Sequence, residues 1–383
     1  MCTERKIRLL PSLCTCVVLG LSGGLAHAAA LTVKVGVVGP LTGQDAGYGK
    51  DILNGVTMAV DEANGQHPRI GADDVRFEIV SQDDQSDPRT AVQVAQKLVD
   101  GGVAVVIGHF NSGTTLPSST LYDRAGIPMI TPSATNPSIT ARGYANVFRI
   151  IATDAQNAGN AGAYAVKVTK ATRIAVLDDR TAFGQGEADE FVRAVNAAGG
   201  TIVDREYTND KAVDFSAQLT HIKSLNADLL FFGGLDTQSA LIVKRMKQLG
   251  MKAQFLAGGG VADVNFLKLA GPAAEGAMAW ENGPSLQSLP GGNGFANQYK
   301  ARFGGDPLPY SPFAYDSTRM AIAAMQAAKS AAPGDISRAL KGLEFNGVTG
   351  AISFAQNGDR NHAICTLYQV SDGAWKPVTS SAR

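Results

Sequence analysis

Ala104-Val105-Val106-Ile107-Gly108-His109-Phe110-Asn111-Ser112-Gly113-Thr114-Thr115 is a short β-branched run that stops at a glycine and opens into hydroxyl groups. Pro128-Met129-Ile130, followed by Thr131-Pro132-Ser133-Ala134-Thr135-Asn136-Pro137, repeats the arrangement soon afterwards. Short apolar strands that alternate with helical periodicity build parallel sheets. Outward from this pair the same alternation continues in both directions. Strands are expected at Val33 to Val38, Arg76 to Val80, Ala104 to Ile107 and Pro128 to Ile130, then at Arg173 to Leu177, Thr201 to Tyr207, Asp228 to Phe232 and Gln254 to Leu256. Between them, apolar residues recur at three and four, as in Ala91, Val94, Ala95, Leu98 and in Ala188, Phe191, Val192, Val195. Gly199 and Gly250 stand where such helices should stop. The fold class is therefore α/β, in two successive groups of four strands.

The first group hands over to the second around Arg149 to Asp154. After Ala279 comes a Pro/Gly-rich stretch from Gly283 to Gly294, then helical patterns near Phe295 to Phe303 and Pro312 to Ala331, and strands near Ile352 and Leu367. A third section after two complete groups means that the chain crosses between lobes more than once. Several crossings make a hinge, which favours a clamshell.

The N-terminus reads as a cleaved secretory signal over residues 1–28. Arg5, Lys6 and Arg8 precede an apolar stretch from Leu13 to Leu25, and Ala26-His27-Ala28 is a small-x-small cleavage site. The stretch carries Gly20, Gly23 and Gly24 and is shorter than the roughly 20 residues of a spanning helix. The chain has 34 basic and 34 acidic residues; cleavage removes three basic residues and one acidic, leaving a slight acidic excess. That disfavours a nucleic-acid partner, which needs a concentrated positive field. Cys2, Cys14 and Cys16 leave with the signal, and Cys365 is expected as a small buried hydrophobe.

Ligands of open parallel sheets bind beyond the carboxyl ends of the strands. The loops holding Ser112, Ser133 and Thr135 place hydroxyls and backbone N–H groups there, with the helix after the Ser112 loop expected to begin near Leu116. Such a setting holds a carboxylate or phosphate; the plainer role for each residue is a helix cap or turn. Tyr48 either walls a pocket or packs on the next helix. Enzyme signatures are weak: beyond the signal no G-x-G-x-x-G, P-loop or G-x-S-x-G element is present, and His67, His109, His221 and His362 lack metal-ligand spacing. Asp83-Asp84-Gln85-Ser86-Asp87 lacks the glycine turn and terminal Glu of a calcium loop. It is expected as a solvated loop capping the helix that starts at Pro88. No catalytic residue, metal or cofactor is expected.

Val38-Gly39-Pro40-Leu41-Thr42-Gly43, Tyr48-Gly49, Asp83-Asp84, Ile107-Gly108-His109, Ser112-Gly113-Thr114-Thr115 and Ile130-Thr131-Pro132-Ser133-Ala134-Thr135 together resemble the branched-chain amino-acid-binding proteins of ABC importers. Phe183-Gly184-Gln185-Gly186, Phe232-Gly233-Gly234 and Ala274-Glu275-Gly276 continue the resemblance in order, so that it covers nearly the whole mature chain. It implies a type I periplasmic binding protein fold, two Rossmann-like lobes joined by three crossovers, with an N-terminal lobe of 31–153 plus 283–359 and a C-terminal lobe of 154–282 plus 360–383. It further implies a monomer in the periplasm that closes on a hydrophobic amino acid or related small carboxylate and presents it to membrane permease subunits. A sensing module of the same fold is the alternative role.

By the same resemblance, Ser112, Ser133 and Thr135 hold the ligand carboxylate, Tyr48 and Phe183 wall the pocket from opposite lobes, and Ala134, Leu235, Asp236 and Gly259 complete it. Gly259, within Ala257-Gly258-Gly259-Gly260-Val261, stands where the family carries an acid for the ligand ammonium. Asp236, Glu281 or Asp263 would then have to supply that charge. Otherwise the ligand has no ammonium, as in a 2-oxo or aromatic acid.

Overall fold

The computed structural model describes residues 1–4 and 30–382, so the segment read as a signal lies outside the described residues except for its first four. Two sheets carry the fold. The first runs, in spatial order, Arg69–Ile70, Asp73–Asp83, Leu31–Gly39, Val105–Ile107, Met129–Thr131, Val147–Arg149. The second runs Ala374–Ala382, Ile364–Ser371, Met278–Asn282, Gln254–Ala257, Leu229–Gly233, Ile174–Asp178, Ile202–Tyr207. Central strands such as Ile174–Asp178 and Leu229–Gly233 are buried at every position. Helices cover both faces of a parallel sheet, which is why these strands read as unbroken apolar runs.

Each sheet contains one switch point. Leu31–Gly39 pairs in parallel with Asp73–Asp83 on one side and Val105–Ile107 on the other. Ile174–Asp178 pairs in parallel with Ile202–Tyr207 on one side and Leu229–Gly233 on the other. Loops leaving neighbouring strands in opposite directions open a crevice at such a point.

The chain passes between the two layers three times. Strand Val147–Arg149 leads into helix Asp154–Lys167, which packs on Met278–Asn282. Met278–Asn282 leads back to helices Gly292–Phe303 and Ser311–Ala328, both packed on Ala46–Gly65. The hairpin Phe345–Gly347/Gly350–Ile352 then leads to Ile364–Ser371 in the second sheet. One apolar core joins Val33–Val37, Ile107 and Ile130 to Phe313, Met325 and Ile336; two others flank the second sheet. This is the type I arrangement of two Rossmann-like lobes with three crossovers.

Helices Asp154–Lys167 and Ala182–Ala197 lie unusually close, because Gly162 faces Phe191. A Cβ at Gly162 would come within 2.7 Å of the Phe191 carbonyl oxygen. Their facing residues recur at three and four: Asp154, Asn157, Ala158, Ala161 on one helix, and Gly184, Glu187, Ala188, Phe191 on the other. Polar groups thus enter the seam at its N-terminal end.

Several sequence expectations need correction. The helix expected near Leu116 begins at Ser112, since the Thr114 and Thr115 hydroxyls donate to the Asn111 carbonyl and tie these weak helix formers into the first turn. Strands Val147–Arg149 and Met278–Asn282 were not anticipated. Asp87 caps its helix as expected, accepting from the Arg89 and Thr90 N–H groups. Asp84, however, is fully buried, with its Oδ2 2.8 Å from His109 Nδ1, while His109 Nε2 lies 3.1 Å from the Tyr122 hydroxyl. The acidic loop is therefore anchored under the first switch point and only partly solvated. Cys365 is buried, as expected.

Candidate ligand-binding cleft

The two switch points face each other across a cavity of about 700 Å³. From the first lobe it is lined by Thr42, Asp45, Phe110, Ser112, Ser133 and Tyr310, among others; from the second by Asp179, Arg180, Phe183, Lys211, Leu235 and Gln238. Four of the nine residues expected at the site, Ser112, Ser133, Phe183 and Leu235, line it directly. The other five, Tyr48, Ala134, Thr135, Asp236 and Gly259, stand behind this lining.

Ser112 is the first residue of its helix, and the Asn111 side chain makes no capping bond there. The first N–H groups of a helix have no intrahelical acceptor, so an anion at Ser112 meets ready donors. The Ser112 hydroxyl accepts from the Asn136 N–H at 3.2 Å and keeps its own proton to give. Ser133 donates to the Phe110 carbonyl at 2.9 Å. Ala134 is fully buried, and its N–H donates to the Thr131 hydroxyl at 2.9 Å. Thr135 is buried, and its hydroxyl stands close to Asp154 without a hydrogen bond of normal geometry to any group. Arg149 stiffens the loop from beneath, donating to the Asn136 carbonyl at 2.8 Å while paired with Asp359.

Tyr48 lies one layer back. Its ring stacks on Phe110 at 5.0 Å, and its hydroxyl donates to Asp263 Oδ2 at 2.7 Å, with the Gly260 carbonyl 3.1 Å away. The bond to Asp263 joins the two lobes behind the cleft. The carboxylates considered as ammonium partners are occupied to different degrees. Glu281 accepts from the N–H groups of Gly260, Val261 and Ala262, and Asp263 accepts from Phe266 as well as Tyr48. Asp236 is buried beside Asp263, and burial followed by that like charge pushes its pKa to about 7.

Gly259 donates its N–H to Glu187 Oε1 at 2.9 Å. A Cβ at neighbouring Gly258 would fall 1.8 Å from Glu187 Oε2, so the Glu187 carboxylate fills the space over these glycines. Burial, then repulsion from Asp154, raises the Glu187 pKa well above the ordinary value. Asp154 is likewise lifted to about 7 by burial, against the opposing pull of the Thr135 hydroxyl and Arg149. Asp179 rises to about 6 for the same first reason. Glu187, Asp154 and Asn157 escaped notice in the sequence, although each stands on an otherwise apolar helical stripe. Phe110, just past a strand end, and Tyr310, just before helix Ser311–Ala328, were missed as cleft residues because aromatic side chains at such positions read equally well as core.

A family model described as periplasmic binding protein matches residues 32–374. The Leu/Ile/Val-binding protein homolog 2 of Brucella abortus (strain 2308) is 35% identical over 369 residues, covering 96% of this chain and 97% of its own length. The leucine-, isoleucine-, valine-, threonine-, and alanine-binding protein of Pseudomonas aeruginosa is 33% identical over 351 residues, covering 89% of this chain and 90% of its own. A leucine binding protein from Thermotoga maritima superposes with a TM-score of 0.84 at 26% identity, covering 91% of this chain and 98% of that one.

Proposed function

The chain belongs to the periplasmic binding protein family, and on that premise we propose that it is the substrate-binding component of an ABC importer, closing its two lobes on a branched-chain or similar hydrophobic amino acid. The observation that carries this is the cleft itself. Two switch points face one another, with an uncapped helix start and the Ser112 and Ser133 hydroxyls on one side and the apolar Phe183 and Leu235 on the other. The hydroxyls and helix start suit a carboxylate, and Phe183 and Leu235 suit an aliphatic chain. Closure removes water from both, which strengthens the hydrogen bonds to the carboxylate. The relatives that are one-third identical along nearly their whole length support this ligand class.

In this proposal the N-terminal lobe comprises 31–153 plus 283–359 and the C-terminal lobe 154–282 plus 360–383. The protein acts in the periplasm as a monomer, meets permease subunits in its closed form, and returns its ligand chemically unchanged. Among the described residues no helix is long and apolar enough to cross a membrane. Replacing both Ser112 and Thr135 with alanine is expected to weaken leucine binding by about 150-fold or more, roughly two hydrogen bonds at charged groups. Isothermal titration with leucine, isoleucine and valine measures it, and unchanged affinity for all three would overturn the assignment. A second reading, a carboxylate ligand without an ammonium, is favoured by Gly259 alone. The surroundings of Gly259 bear on it directly.

A further inference from the structure

Behind the cleft lies a polar recess whose hydrogen-bonding capacity is mostly unused. The side chains nearest to a Cβ built on Gly259 are Asn282 Nδ2 at 3.1 Å, Asn157 Nδ2 at 3.8 Å and Glu187 Oε1 at 3.9 Å. Around it, Glu187 Oε2, both oxygens of Asp154, Asn157 Oδ1 and Nδ2, Asn282 Oδ1 and the Thr135 hydroxyl are all buried without a hydrogen bond of normal geometry. Asp154, Asn157 and Glu187 are completely buried and Thr135 nearly so. These groups form one neighbourhood. Asn157 follows Asp154 by one helical turn, Asp154 donates its N–H to the Thr135 carbonyl at 3.0 Å, and Asp154 and Glu187 repel one another.

Buried polar atoms are almost always satisfied, so seven in one place imply a missing group. Its chemistry follows from the imbalance. Acceptors predominate, two carboxylates among them, while Asn157 Nδ2 is the sole obligate donor. A group with several N–H donors and a positive charge matches such a set in both hydrogen bonding and charge. A bare metal ion fits poorly, because among the described residues the acids whose ligand atoms converge closely enough for one are Asp204 and Glu206, with His221, elsewhere on the surface. Hydrogen bonds from an ammonium span longer distances and tolerate this spacing. The recess adjoins the cleft lining on both sides: Thr135 lies two residues beyond the lining Ser133, and Glu187 one turn beyond the lining Phe183.

We propose that Glu187 is the specificity-determining anion for the ligand's α-ammonium, supplied from helix Ala182–Ala197 in place of a side chain at Gly259. Asp154 and Thr135 complete the ammonium's hydrogen bonds. The inference rests on the amino-acid-binding reading above and names its ammonium subsite. Gly258 and Gly259 are then required to be small, because the Glu187 carboxylate occupies the volume that a longer side chain would take.

The test titrates leucine and its deaminated oxo acid, in parallel, into full-length mature protein and into Glu187→Gln. Wild type should bind leucine more tightly than the oxo acid. Glu187→Gln should lose leucine affinity about tenfold or more while holding or gaining affinity for the oxo acid. If the variant weakens both ligands equally, or leaves leucine untouched, the assignment of Glu187 is overturned while the amino-acid reading stands. If wild type binds the oxo acid and no amino acid, both fall together. Should Glu187→Gln fold poorly, Glu187→Leu combined with Gly259→Glu returns the carboxylate from the strand side. Recovery of leucine preference relative to Glu187→Leu alone supports the subsite, and failure to recover it in a folded protein overturns it.

Discussion

Asp359→Ala is expected to lower the free energy of unfolding by about 3 kcal/mol, the low end of what stranding a buried charge costs. Arg149 has no exposed surface, and its guanidinium is held by Asp359 Oδ1 through both Nε and Nη2, by the Thr140 hydroxyl at 2.7 Å and by the Asn136 carbonyl at 2.8 Å. Asp359 keeps about a quarter of its side chain in solvent, so the Coulombic part is screened and the lower figure applies. Removing Asp359 leaves a cation that cannot reach water. Asp359→Asn retains an acceptor without the charge and should fall between wild type and Asp359→Ala. Because Arg149 also holds the loop from Ala134 to Asn136, leucine affinity should drop in the same order. Urea unfolding of the three proteins measures the stability series, and a loss under about 1 kcal/mol for Asp359→Ala would contradict it.

The pairing of Arg149 with Asp359 also shows where sequence-level inference stops. Val147-Phe148-Arg149 is too short and too charged to announce itself as a buried strand, and its counter-ion lies 210 residues away. Nothing local encodes that neutralisation. Strands such as Leu229–Gly233 were legible because two-sided burial forces continuous apolar runs, and the helices were legible from their stripes. The switch points followed from the order of those elements. At the site, the hydroxyl-rich loops at Ser112 and Ser133 could be read because strand ends in an open sheet are where ligands go.

Tyr48 illustrates the opposite case. Its partner Asp263 is 215 residues distant, so the sequence left wall and packing roles equally open. Glu187 was legible in principle. The helix buries Gly184, Glu187, Ala188, Phe191 and Val195, a regular apolar face broken once by a carboxylate. Counting the apolar members of the stripe identifies the helix; the polar exception identifies the function. Asp154 and Asn157 break the facing stripe in the same way.

Unliganded protein is expected to be more stable at pH 5 than at pH 8 by about 3 kcal/mol or more. Burial lifts Asp51, Asp179 and Asp263 to about 6, and Asp154 and Asp236 to about 7, from an ordinary value of 3.8. A carboxyl with a raised folded pKa binds its proton more tightly when folded, so its stabilising effect is present at low pH. It is lost as pH rises from about 4 through the folded value. Each displacement of two to three units corresponds to roughly 3 to 4 kcal/mol, and mutual repulsion makes the group less than additive. Acids shifted the other way, such as Asp83, Asp87 and Asp228, exert their effect at or below about pH 4 and do not oppose the trend above pH 5. A ligand ammonium placed among Asp154 and Glu187 favours their ionised forms, so saturating leucine should flatten much of the slope. Asp51 separates the two contributions. It is not part of the cleft lining and stands behind Tyr310, accepting from Leu308, Tyr310 and Ser311 N–H groups and the Tyr299 hydroxyl, so its share of the slope should persist with leucine bound and disappear in Asp51→Asn. Thermal midpoints at pH 5 and 8, with and without leucine, decide the matter. A higher midpoint at pH 8 in the unliganded protein would mean that water enters the seam and keeps these carboxylates ionised.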